Sequence, residues 1–237
     1  MLAALFVHGI LVVVFLGLFA RWLDEEISAD VCLFGLVVEL SASLFFVKYL
    51  QVTDSIFFLS LGDLFAVSVF PEFSLVLCFD EVSGFFFSIL SFALLLCFFF
   101  LVEYFEYDAN ANSIIFLSSL FSQLAMLYFA SFDLYLLFFF WESISFVSFF
   151  LIQHWAYRVA SYKAGLKVFF ISQLGDFFFF FFCFFLTMRA GTTDLLEVIP
   201  MLPIFLFEYV SVGSMLLNFV SLLAVLLQVA VLLKAAQ

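Results

Sequence analysis

Residues 134–152 read LYLLFFFWESISFVSFFLI, and this stretch decides what kind of molecule the chain forms. A bilayer span needs about 20 mostly apolar residues, and this one meets that length with a single charge, Glu142, near its middle. The same pattern repeats on both sides. Charges and turn residues cut the sequence into apolar spans at about residues 1–20, 31–50, 82–102, 113–132, 134–152, 164–188 and 211–237. Between the second and third, residues 51–81 carry Asp54, Asp63, Pro71, Glu72 and Asp80 and read as an extramembrane loop or hairpin with short strands. The expectation is an all-α integral membrane protein of about seven helices, forming a single membrane domain over residues 1–237.

Composition gives the same answer without any span assignment. The chain is 68% hydrophobic and 11% charged, against about a quarter charged in a soluble domain, which could not hide so much apolar surface from water. Phe is the extreme case, with 43 copies including the run Phe177 to Phe182. This reads as compositional bias in an AT-rich organellar gene, tolerated because Phe packs well against lipid, rather than as an aromatic-lined cavity. The net charge of −12 argues against nucleic acid or anionic lipid as partners. Cys32, Cys78, Cys97 and Cys183 are scattered, so no zinc or iron–sulfur site is proposed. Neither a GxGxxG nor a GxxxxGK[ST] pattern is present, and nothing here is expected to bind NADH, flavin or ATP. Arg21 follows the first span and Arg158 and Lys163 follow the fifth. Alternating spans put both loops on one side, the matrix or cytoplasm by the positive-inside rule.

Ionisable groups inside the spans carry the functional signal, because a lone charge at mid-membrane is costly unless it is paired, neutralised or facing water. Glu142 is the first candidate, with Ser145 and Ser148 making a polar stripe on a helix otherwise faced by Phe. Asp176 is the second. Ser172 and Gln173 share its face, and Gly175 beside it permits close helix approach. Lys167 is turned to the opposite face and lies near the basic loop, where it could snorkel to the interface or serve the site. Lys234 follows a charge-free run, residues 209–233, and is a flank or an intramembrane group depending on where that helix starts. The second span also contains Glu39. Burial disfavours the charged form of acids and amines alike, and pairing restores it. A membrane Glu coupled to a membrane Lys is therefore bistable, which is the chemistry of a proton relay without a cofactor.

The stretch Trp141-Glu142-Ser-Ile-Ser-Phe-Val-Ser148-Phe149-Phe-Leu151-Ile152, then Gln-His-Trp155-Ala-Tyr-Arg158, then Leu-Gly175-Asp176 resembles the antiporter-like subunit 5 of respiratory NADH:ubiquinone oxidoreductase (complex I). The terminal Lys234-Ala235-Ala236-Gln237 is similar to that family's K-S-A-Q element. The Trp-Glu pair separates it from the sister subunit 4, while Mrp-type cation/proton antiporters share the same core. The resemblance spans roughly residues 75–237 and is densest over 133–176. It implies an antiporter-like bundle, with Glu142 as the carboxylate of the half-channel by which protons enter and Lys234 as its partner on an interrupted seventh helix. Asp176 and Lys167 would be further relay groups. Gln173 stands where the family carries Arg, which removes the usual cation beside Asp176.

The resemblance further implies a proton-translocating subunit in the mitochondrial inner membrane, with no cofactor on this chain. NADH, FMN, iron–sulfur clusters and ubiquinone would sit on other subunits. Partners would be complex I membrane-arm subunits, including subunit 4, together with membrane lipid. Because the family continues for many more spans, a separate chain carrying the C-terminal half of a split subunit 5 is also expected. The alternatives are an Mrp-type cation/proton antiporter subunit and a structural membrane-arm subunit that keeps the fold without pumping.

Overall fold

The computed structural model describes residues 2–19, 22–53, 56–65, 73–105, 108, 110–155, 157–212 and 215–235. Arg21, Asp54, Pro71, Glu72, Ala236 and Gln237, named above, lie outside them. In chain order the elements are α1 (Leu2–Phe19), α2 (Glu25–Thr53), β1 (Phe57–Phe65), β2 (Phe73–Phe79), α3 (Glu81–Tyr104), α4 (Ala111–Ala130), α5 (Leu134–Ile152), α6 (Val159–Ala190), α7 (Leu195–Phe205), β3 (Tyr209–Val212), β4 (Met215–Asn218) and α8 (Phe219–Ala235). Among the described residues, α2 to α6 are the five helices long and apolar enough to cross a membrane, while α1 and α8 are apolar but shorter. The chain is a multi-pass, all-α membrane protein.

Its packing is inverted relative to a water-soluble bundle. Phe100 on α3, Phe170 on α6 and Leu232 on α8 are exposed, whereas Ser91, Ser119, Ser122, Ser145, Ser172 and Asp176 are buried. Lipid takes the apolar faces, and the helices turn their small and polar residues toward one another, where hydroxyls find partners and backbones approach closely. Most buried serines donate back to a carbonyl three residues earlier, as Ser119 does to Phe116 and Ser172 to Phe169. The run Phe177 to Phe182 wraps its helix and lines no single face: Phe177 and Phe180 are exposed, and Phe179 is buried.

The chain forms two compact units. The first comprises α1 to α4, with α2 packed on α1, α3 and α4. Its core includes Leu16, Cys32, Leu36, Phe98 and Ile115. The second comprises most of α5, then α6, α7, the β3–β4 hairpin and α8, with its core built on Leu134, Phe179, Cys183, Val198, Phe219 and Leu223.

Residues 51–81 hold the two-stranded β1–β2 sheet, in line with the hairpin of short strands read there. Two other segments differ from the sequence reading. The stretch left between the sixth and seventh spans, residues 189–210, contains α7, which keeps Pro200 and Pro203 within it and is capped by the Asp194 carboxylate accepting from the Leu196 N–H at 2.9 Å. The seventh span is not one helix. Its first part is the antiparallel β3–β4 hairpin, registered Tyr209 to Asn218 and Val212 to Met215, and α8 begins only at Phe219. Gly213 and Ser214, between the paired ends, lie outside the described residues. Asn218 closes the hairpin and opens α8, accepting from the Val220 N–H at 3.0 Å.

The turn before α5 is fixed by Asp133, which is fully buried. Its Oδ1 accepts from the Tyr135 and Leu136 N–H groups at 2.9 and 3.1 Å, and its Oδ2 accepts from the Thr193 hydroxyl. Backbone bonds from Leu134 to Thr193 and from Leu195 to Phe132 tie the same turn to the start of α7. Burial pushes the Asp133 carboxyl up, and the bonds from Thr193, Leu136 and Tyr135 hold it back. With its folded value above the unfolded one, the titration of this group adds stability that is complete below the unfolded value and is lost as pH rises through the folded one. Asp133→Asn should therefore flatten that part of the stability–pH curve. Asp133→Ala removes the cap and should cost about 1–2 kcal/mol, as read from thermal unfolding in detergent.

Candidate functional site

Gly175 sets the geometry of the site. It lies where α6 meets α8, and a Cβ there would come within 3.1 Å of the Ala230 carbonyl oxygen and 3.3 Å of the Leu233 Cβ. Only a hydrogen lets the two backbones approach this closely. The approach brings the backbone of Lys234 alongside α6, next to Asp176.

The Lys234 ammonium is largely buried and is held from two helices. Its Nζ donates to the Trp141 carbonyl oxygen at 2.5 Å and to the Ser145 hydroxyl at 2.6 Å, both on α5, and lies 3.6 Å from Asp176 Oδ1 on α6. It also sits 4.0 Å from the centroid of the Trp141 ring, a cation–π contact that desolvation strengthens. The Trp141 indole N–H donates to Asp176 Oδ1 at 2.6 Å. The ring itself packs on Phe179, with centroids 4.8 Å apart. Asp176 Oδ2 accepts a longer bond from Gln173 Nε2 at 3.4 Å. The carboxylate that the sequence seemed to deprive of a cation thus has one in Lys234, with Gln173 as an added donor.

Glu142 follows Trp141 on α5 and is half-buried. Both Asp176 and Lys234 lie within electrostatic range of it. Among the described residues it makes no hydrogen bond or ion pair. Two acids thus share one ammonium, and only Asp176 is bonded into place. Fully ionised, the three groups would carry one uncompensated negative charge in a low-dielectric setting, which favours one added proton on the cluster. A group of this kind can take up and release a proton as the ammonium shifts between carboxylates, and that is its chemical capability.

Of the four residues singled out in the sequence, Glu142, Asp176 and Lys234 come together. Lys167 does not. It is exposed on α6, about 13 Å along the helix from Asp176 at 1.5 Å per residue. Sequence reasoning used Trp141 only as part of a motif and missed its bonds to both charged partners. The available signal was its indole N–H, since a Trp placed well inside an apolar span needs an acceptor.

Fold and site together define a multi-pass helical membrane protein with a buried acid–ammonium cluster. Residues 131–237 match the family described as NADH:quinone oxidoreductase/Mrp antiporter, TM. Curated relatives include NADH-ubiquinone oxidoreductase chain 5 of Candida parapsilosis, 31% identical over 78 residues, and the same chain of Candida albicans (strain SC5314), 28% identical over 78 residues. Each match covers 33% of this chain and 14% of the relative. The fold is also that of a chain in the membrane-bound sulfane sulfur reductase (MBS), an archaeal respiratory membrane complex, with a TM-score of 0.67 at 13% identity over 98% of this chain and 42% of that one. The chain resembles the antiporter-like family named above and covers less than half the length of each of these relatives.

A double-mutant cycle of Trp141→Phe with Asp176→Asn tests the indole–carboxylate bond, because Phe keeps a ring face for Lys234 while removing the donor. A coupling of about 1 kcal/mol, the scale of interhelical hydrogen bonds in membranes, is expected in unfolding measurements. Additive effects would show that the bond is not made.

Proposed function

We infer that this chain is a proton-translocating subunit of the membrane arm of a respiratory NADH:ubiquinone oxidoreductase, and that Glu142, Asp176 and Lys234 form its relay. The observation that carries this reading is Lys234 held by Trp141 and Ser145 of α5 and within ion-pair distance of Asp176 of α6, with Glu142 close enough to compete for it. In the resting arrangement the ammonium pairs with Asp176, and the loosely held Glu142 carries the exchangeable proton. Drawing Lys234 toward Glu142 stabilises the ionised Glu142, and the proton it gives up passes to Asp176, which has lost its cation. Returning Lys234 to Asp176 releases that proton from Asp176 and lets Glu142 take up another. The step moves one flexible side chain between two carboxylates, and the charge on neighbouring groups sets its direction.

The redox energy would enter on other subunits, where NADH, flavin, iron–sulfur clusters and ubiquinone belong in this reading. The partners are then the other membrane-arm subunits, and the compartment is the mitochondrial inner membrane. Both curated relatives named above are subunit 5 of that enzyme, which favours it over an Mrp-type antiporter. Lys167 has no part in the relay drawn here.

Glu142→Gln in the native assembly provides the test. NADH should still be oxidised, while the proton transfer served by this subunit slows by about 100-fold or more, the scale of losing a positioned acid–base group. The readout is protons moved per NADH in sealed vesicles. An unchanged yield would mean that the chain is a scaffold, and sodium-stimulated exchange by an assembly without redox centres would point to an antiporter instead.

A further inference from the structure

A second buried acid lies in the α1–α4 unit. Glu39 stands midway along α2, about 21 Å from either end of that helix at 1.5 Å per residue, and its side chain is buried. Its Oε1 accepts from the Gln123 side-chain amide on α4. Its Oε2 is buried and has no hydrogen-bond partner among the described residues. On α1, Gly9 is pressed so close to this pair that a Cβ would overlap Gln123 Oε1 and Glu39 Oε1. The preceding residue, His8, sets its ring edge-on to Phe34 of α2, with centroids 6.5 Å apart. Its Nε2 is likewise buried without a partner among the described residues.

The other titratable groups nearby supply no compensating charge. On α2, Cys32 lies two turns earlier and is buried. On α3, Glu81, Cys97, Glu103 and Tyr104 are exposed, and on α4 the group is Tyr128, more than a turn beyond Gln123. No lysine or arginine pairs with Glu39 among the described residues. An ionised carboxylate in this setting is costly, and the neutral acid is not. In the neutral form Oε1 still accepts from Gln123 and the unpartnered Oε2 carries a hydroxyl in place of a share of a net charge.

We propose that Glu39, oriented by Gln123, forms a second proton-binding site in the first unit, in which the Glu39 carboxyl carries an exchangeable proton on Oε2. Gln123 fixes the carboxyl orientation through Oε1, and Gly9 provides the room. A chain that pumped nothing would still bind this proton, so the site stands or falls independently of the relay around Lys234.

Infrared difference spectra of the intact assembly in lipid vesicles read this directly. A protonated carboxylic-acid carbonyl band should be present at neutral pH, shift in D2O, disappear in Glu39→Gln and persist in Glu142→Gln. Identical spectra for the wild type and Glu39→Gln, or a Glu39 band that does not shift in D2O, would overturn the assignment. So would loss of the band on raising sodium at fixed pH, which would make this a metal-cation site. Should Glu39→Gln fail to assemble, dicyclohexylcarbodiimide, which attacks protonated buried acids, is applied to the wild type and the adducts are mapped by mass spectrometry. Labelling of Glu39 at neutral pH that fades as pH rises supports the site, and labelling that spares Glu39 contradicts it.

Discussion

The second unit depends on one buried ammonium. Lys234 is tolerated among apolar helices because its Nζ donates to a carbonyl and a hydroxyl of α5 and lies within ion-pair distance of a carboxylate of α6. That requirement explains features that look unrelated in the sequence. Gly175 must lack a side chain so that α8 can lie close against α6. Ser145 must be small and polar, and Trp141 must supply both a ring face beneath the charge and an N–H for the acid opposite. Asp133 and Asp194 fix the starts of α5 and α7 through side-chain caps and a short backbone bridge, which anchors the helix that carries two of the lysine's partners.

The hairpin preceding α8 has a mechanical consequence. With Tyr209 to Val212 paired to Met215 to Asn218 as strands, α8 begins at Phe219 and Lys234 lies about four turns into it. The interruption thus sets where the ammonium lies along the helix axis, and the Gly175 contact sets how near it comes to α6.

Much of this is legible in the sequence, and what is hidden has physical reasons. The helix over 134–152 announces itself because Asp133 and the polar loop after Ile152 bracket an apolar run. The longer extents of α2 and α6 are less visible, since a helix need not stop at the membrane surface and polar residues continue it into water. The β3–β4 strands are hidden because an apolar run without charges reads the same whether it is buried strand or helix. The two-proline segment at 195–205 reads as a loop, yet it forms an 11-residue helix of about three turns, capped by Asp194. At the site, charges within spans point to Glu142, Asp176 and Lys234 by their cost alone. The partners that make that cost bearable, a backbone carbonyl and an indole, leave no such mark. Glu39 follows the same logic in the first unit, where its bond to Gln123 joins helices far apart in the chain.

The central claim is that Glu142 and Lys234 act as one device. The most direct measurement compares the proton yield per NADH of native assemblies carrying Glu142→Gln, Lys234→Met, or both. Groups that serve a single step are not additive, so the double variant should lose no more than the worse of the two single variants. Losses that multiply in the double variant would show two independent contributions and would contradict the account.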